Sequence, residues 1–88
     1  MLDWAAGAER MPRFFFHVRD SGDYLDDEGT ELADDSVARA EAVVLSGELL
    51  KDLGGKFWNY EDWQLVVVAE DGREVCRLTI TAAAPEIS

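Results

Sequence analysis

The run Met11-Pro12-Arg13-Phe14-Phe15-Phe16-His17-Val18-Arg19-Asp20 decides the fold. Three consecutive phenylalanines either build a core or leave an adhesive surface. Residues 13–20 are aromatic and β-branched, the composition of a strand. Alternation sets Phe14, Phe16 and Val18 on one face and Phe15, His17 and Arg19 on the other. The first set is the better core face, so Phe14 and Phe16 are expected beneath a helix. The second set is left to face any partner. Asp20-Ser21-Gly22-Asp23 is dense in turn formers and reverses the chain. A shorter strand is expected around residues 24–26, then a second turn at Asp27-Glu28-Gly29.

The clearest helix follows. Asp34 or Asp35 can accept hydrogen bonds from the free N–H groups of its first turn, and both charges favour that end of the helix dipole. Leu32, just upstream, can pack back on that turn. Val37, Ala40, Val44, Leu45, Leu49 and Leu53 recur at helical spacing and are read as the buried stripe, with Arg39, Glu41, Glu48 and Lys51 opposite. Gly47 in its middle points to close approach of a bulky neighbour, a phenylalanine of the first strand. Gly54-Gly55 ends the helix, one glycine supplying the left-handed cap. Beyond an aromatic connector, residues 56–62, residues 63–69 read as a strong strand. Glu70-Asp71-Gly72 is a hairpin turn, and residues 73–81 return as the last strand. Cys76, Leu78 and Ile80 share one of its faces. The fold class is α+β, in the order β-β-α-β-β, with one helix on one face of a mainly antiparallel four-stranded sheet.

Eighty-eight residues make one domain near the small end of what folds without staples. It is placed at residues 12–81, between a flexible extension, 1–11, and a loose tail, 82–88. The extension does not share the strand pattern; a remnant of cloning and an upstream start are the other readings, with Met11 the expected start. Trp4 is its one residue suited to docking on the body. A single cysteine, Cys76, excludes an internal disulfide and fits a reducing cytoplasm. No apolar run approaches a bilayer span, and the first ten residues lack the marks of a signal peptide. Nineteen acids against eight bases give a net charge of −11. That field opposes nucleic acid and anionic membrane, and is compatible with a basic protein partner or with solubility alone.

No catalytic or cofactor motif stands out. His17, the sole histidine, could be a general base, but no nucleophile or orienting carboxylate is implied beside it, and a hydrogen-bonding sheet residue is the preferred reading. The acidic run from Asp20 to Asp35 fails the calcium-loop pattern: the sixth residue is Leu25 counted from Asp20, and Glu28 counted from Asp23, where glycine is needed. It reads as a solvated edge and no metal site is assigned. Trp58, Tyr60 and Trp63 either cap the end of helix and sheet or form an interface hot spot. Cys76 reads as buried packing.

The chain resembles a family of small bacterial proteins of unknown function that open with Met-Pro-Arg-(Phe/Tyr)-(Phe/Tyr)-Phe-(His/Asp). Here the opening is Met11 to His17, followed by Asp26-Asp27-Glu28-Gly29-Thr30-Glu31-Leu32, Ala38-Arg39-Ala40-Glu41-Ala42 and Glu70-Asp71-Gly72-Arg73-Glu74-Val75. The resemblance covers most of residues 11–81 and implies a fold and a start at Met11, with no known chemistry. The chain departs from it in residues 1–10 and in Phe57-Trp58-Asn59-Tyr60. More distantly, the entry into the Ala-rich helix is similar to that of HicB-type antitoxins, which implies a basic protein partner.

Together these readings predict a non-enzymatic protein-interaction module without cofactor, self-associating as a homodimer through its open sheet face. The expected contact residues are Phe15, His17, Arg19, Trp58, Tyr60 and Trp63. The alternatives are an antitoxin-like or inhibitory binder of a basic protein and, third, a small enzyme using His17.

Overall fold

A computed structural model describes residues 11–20, 22–59 and 62–83. Trp4, Tyr60 and the two ends of the chain lie outside the described residues. The protein is α+β, and among the described residues one α-helix lies on an antiparallel sheet. Strand β1, Arg13–Arg19, pairs along its length with β4, Asp62–Ala69, with Phe14 opposite Ala69, Phe16 opposite Val67 and Val18 opposite Leu65. Strand β5, Glu74–Thr81, returns beside β4 through the expected hairpin, in which Gly72 adopts φ 93°.

The other edge of β1 holds two fragments rather than one strand. β2, Asp23–Tyr24, pairs with Val18 and Arg19, and β3, Thr30–Glu31, pairs with Arg13 and Phe14. The sheet therefore has five strands, one more than the sequence suggests. The division comes from the turn at Gly29. Its φ is +75°, and a Cβ there would lie 2.7 Å from Arg13 Cγ and 2.9 Å from Phe15 Cε1. Only a glycine lets the chain bend this close to the sheet.

Helix α1, Asp35–Leu53, starts as its capping chemistry predicts: Asp34 Oδ1 accepts the Val37 N–H at 2.9 Å. Asp35 instead binds Arg73 at 2.8 Å, tying the first turn to the β4–β5 hairpin. Gly54 ends the helix with φ 55° and ψ −131°, outside the left-handed helical basin but open to glycine, and its N–H bonds to the Leu50 carbonyl. Residues Gly54–Asn59 continue as a 3₁₀ helix.

The buried stripe differs from the expected one. Ala38, Ala42 and Ser46 face the sheet, flanked by Leu45, Leu49, Leu50 and Leu53, while Val37, Ala40 and Val44 are exposed. The small residues let the helix axis approach the broad side chains of the sheet, which a row of valines would hold away. Nor does Gly47 mark a close approach: a Cβ there would meet nothing within 4 Å. It lies on the exposed side, one residue past the contact at Ser46. Under the helix sit Phe14, Phe16, Trp63, Leu65, Val67 and Ala69, so β1 and β4 build the core by strict alternation. Cys76 packs half-buried against it, and burial pushes its thiol up, which suits an inert packing role.

Candidate functional site

The sheet face away from the helix brings together three of the sequence-predicted contact residues, Phe15, His17 and Arg19. Register arranges this face in rows across the three long strands. Phe15, Val68 and Glu74 form one row, His17, Val66 and Arg77 the next, and Arg19, Gln64 and Thr79 the third. The rings of Phe15 and His17 stack at 6.5 Å with an interplanar angle of 7°. Arg77 grips Glu74 through Nε at 3.1 Å and Nη2 at 2.8 Å, and donates from Nη1 to Gln64 Oε1 at 2.8 Å. That guanidinium holds the Glu74 carboxyl below its ordinary range. Val66, between His17 and Arg77, is only 6% exposed. The face is thus a half-covered apolar strip framed by charge: Arg13, Arg19 and Arg77 stand with Asp23, Glu31, Asp62 and Glu74. In a chain of nineteen acids and eight bases, three arginines to four carboxylates make this surface far closer to neutral than the rest.

His17 is positioned by the loop that bridges β2 and β3. Its Nδ1 accepts the Asp26 N–H at 3.0 Å, which leaves the ring proton on Nε2 of the neutral imidazole. Asp26 in turn accepts the Phe16 N–H on Oδ2, and the Glu28 and Gly29 N–H groups on Oδ1, each at 3.1 Å. One residue therefore satisfies the stretch of β1 edge between the two short strands and shapes the turn below it. Partial burial would raise the Asp26 carboxyl, but the amides of Gly29, Phe16 and Glu28 outweigh it and leave it lowered. Much of the acidic run is used in the same internal way. Asp20 accepts from Gly22, Asp34 caps the helix and Asp35 holds Arg73.

Trp58 and Trp63 do not form one patch. Trp58 is 60% exposed, whereas Trp63 is 1% exposed and belongs to the core. Trp63 is therefore no exposed hot spot. It opens β4, and alternation turns it to the helix face with Leu65 and Val67. Tyr60 lies outside the described residues.

A second surface escapes sequence reasoning. A helix about 10 Å wide spans roughly two strands spaced about 4.8 Å apart. The backbone of helix α1 lies nearest β4 and β5, so although Phe14 and Phe16 are buried, a gap runs along the flank between the helix and β1. The result is a groove of about 580 Å³ between Phe16 and Val18 of β1 and Leu45, Leu49 and Leu53 of α1, with Trp63 in its wall. Asp20, Asp26 and Asp52 line it together with Tyr24, Thr30 and Lys56. All of those leucines read as core in the sequence; only the lateral placement of the helix exposes a gap beside them.

Among the described residues no helix is long and apolar enough to cross a membrane. No curated protein and no solved structure matches the chain. The model of one domain family does match, from Arg13 at the start of β1 to Thr81 at the end of β5, and so takes in both surfaces. The chain belongs to that family, described as a domain of unknown function, DUF6894, over residues 13–81.

Proposed function

We propose that the chain is a non-enzymatic protein-interaction module of the cytoplasm, and that two copies join through the open sheet face. The observation that carries this is the clustering of three of the chain's eight bases on that face, which leaves it close to neutral. Two molecules of net charge −11 repel each other over most of their surfaces. Where Arg13, Arg19 and Arg77 stand beside Asp23, Glu31, Asp62 and Glu74, a two-fold arrangement brings arginines of one copy over carboxylates of the other. Phe15 and Val68, half-buried in the single chain, supply the apolar centre. Against chemistry at His17 stands its Nδ1 bond to the Asp26 amide, which occupies one of the two nitrogens a base would use.

Light scattering during gel filtration over a concentration series tests the reading. The wild type is expected to run as a dimer at high micromolar concentration, and Val68→Glu, placed beside Glu74, as a monomer. A wild type that stays monomeric there refutes the association. The second reading, a binder of a basic protein, draws on the acidic lining of the groove.

A further inference from the structure

We infer that the groove beside β1 is a docking site for a cationic amphipathic segment of a partner protein. This goes beyond self-association and uses the opposite side of the sheet. The floor and walls supply the apolar half of the match. Phe16, Val18, Leu45, Leu49 and Leu53 converge on one open channel, and its 580 Å³ lies in the range of built ligand sites, room for a few side chains rather than a domain. Such a channel along a helix accepts residues spaced on one face of a partner helix.

The lining supplies the charge half. Asp20 ends β1, Asp52 sits in the last turn of α1, and Asp26 closes the side formed by the bridging loop. Lys56 is the basic residue of the lining among the described residues. Asp26 has three of its lone-pair sites taken by main-chain amides and Asp20 one, by the Gly22 N–H, so the carboxylate oxygens left to meet a cation are chiefly those of Asp52 and the second oxygen of Asp20. A second copy of this chain, at net charge −11, is the wrong electrostatic partner for such a rim. A segment with lysines or arginines flanking leucine-like anchors is the right one.

The test uses the full chain, isotopically labelled, and a synthetic Leu/Lys amphipathic peptide of about four helical turns, roughly 14 residues. Its control is the same peptide with glutamate in place of lysine. The Leu/Lys peptide is expected to shift the resonances of Val18, Leu49 and Leu53, and to bind more weakly as salt rises. The double variant Asp20→Lys/Asp52→Lys, verified as folded by circular dichroism, should weaken it about tenfold, the sum expected of two exposed charge reversals. Val68→Glu should leave binding unchanged. Absence of binding, equal binding of the glutamate peptide, indifference to the double variant, or a footprint at Phe15 and Val68 would each overturn the inference. Because Val68→Glu reports on association alone, a monomeric chain that still binds the peptide would refute the dimer and leave the groove standing.

Discussion

Replacing Asp26 by asparagine should be nearly as damaging as replacing it by alanine. The carboxylate accepts on both oxygens: Phe16 N–H on Oδ2, Glu28 and Gly29 N–H on Oδ1. An asparagine keeps one acceptor and turns an N–H₂ donor toward a main-chain donor. In one orientation it strands the Phe16 amide of the β1 edge; in the other it frees the turn at Gly29. A partly buried donor left without an acceptor costs about 1–3 kcal/mol. Asp26→Asn should therefore lose about 2 kcal/mol, and Asp26→Ala about 3 kcal/mol, since it gives up all three bonds. For a domain of this size the first loss corresponds to a fall in Tm of roughly 8–16 °C. Urea unfolding followed by circular dichroism measures both variants. The pH dependence supplies an internal control. The folded carboxyl is lowered from its ordinary 3.8, so its contribution is fully present above that value and is lost as pH falls through the lower, folded one. The gap between wild type and Asp26→Asn should be constant near neutrality and shrink in strong acid. An asparagine variant within about 0.5 kcal/mol of wild type at neutral pH would show that the loop is held by something other than this carboxylate.

Gly29→Ala should destabilise by about 1–3 kcal/mol, because it combines a positive φ with contacts under 3 Å to Arg13 and Phe15; thermal melting reads it. Ser46→Ala should be neutral or stabilise by up to about 1 kcal/mol, since the Ser46 hydroxyl is buried without a partner on the helix face that meets the sheet. A clear loss of stability in that variant would mean that the hydroxyl is bonded after all.

The parts of the fold legible in the sequence are those decided within a few residues. Phe14 and Phe16 alternate with Phe15 and His17, and two bulky residues on one side settle which face is core. Asp34 advertises the helix start, and Asp71-Gly72 the hairpin. The helix stripe was misread because hydropathy favours Val37 and Val44, whereas contact with a sheet of Phe14, Trp63 and Leu65 favours the small Ala38 and Ala42. Closeness in sequence groups Trp63 with Trp58 and Tyr60 as one aromatic cluster, yet strand phase sends it inward. The bond from Asp26 to His17 joins two residues nine positions apart across a turn, and nothing in their spacing announces it. The groove depends on where α1 lies sideways on the sheet, a property of three elements at once.

The pairing of β1 with β4 also governs how the chain reaches its native state. The β4–β5 hairpin closes a short loop and is local, whereas β1 must wait for a partner made only after the whole helix and its 3₁₀ extension. Closing that larger loop is the slower event. Until then Phe14, Phe15 and Phe16 have only the short strands β2 and β3 along one edge and an open edge on the other, the kind of segment that recruits other chains. The acidic stretch immediately behind them, Asp20 to Asp35, is translated next. Charge of one sign beside an apolar strand opposes its association with another copy, so the stretch that shapes the β1 edge in the folded protein also disfavours aggregation before β4 exists.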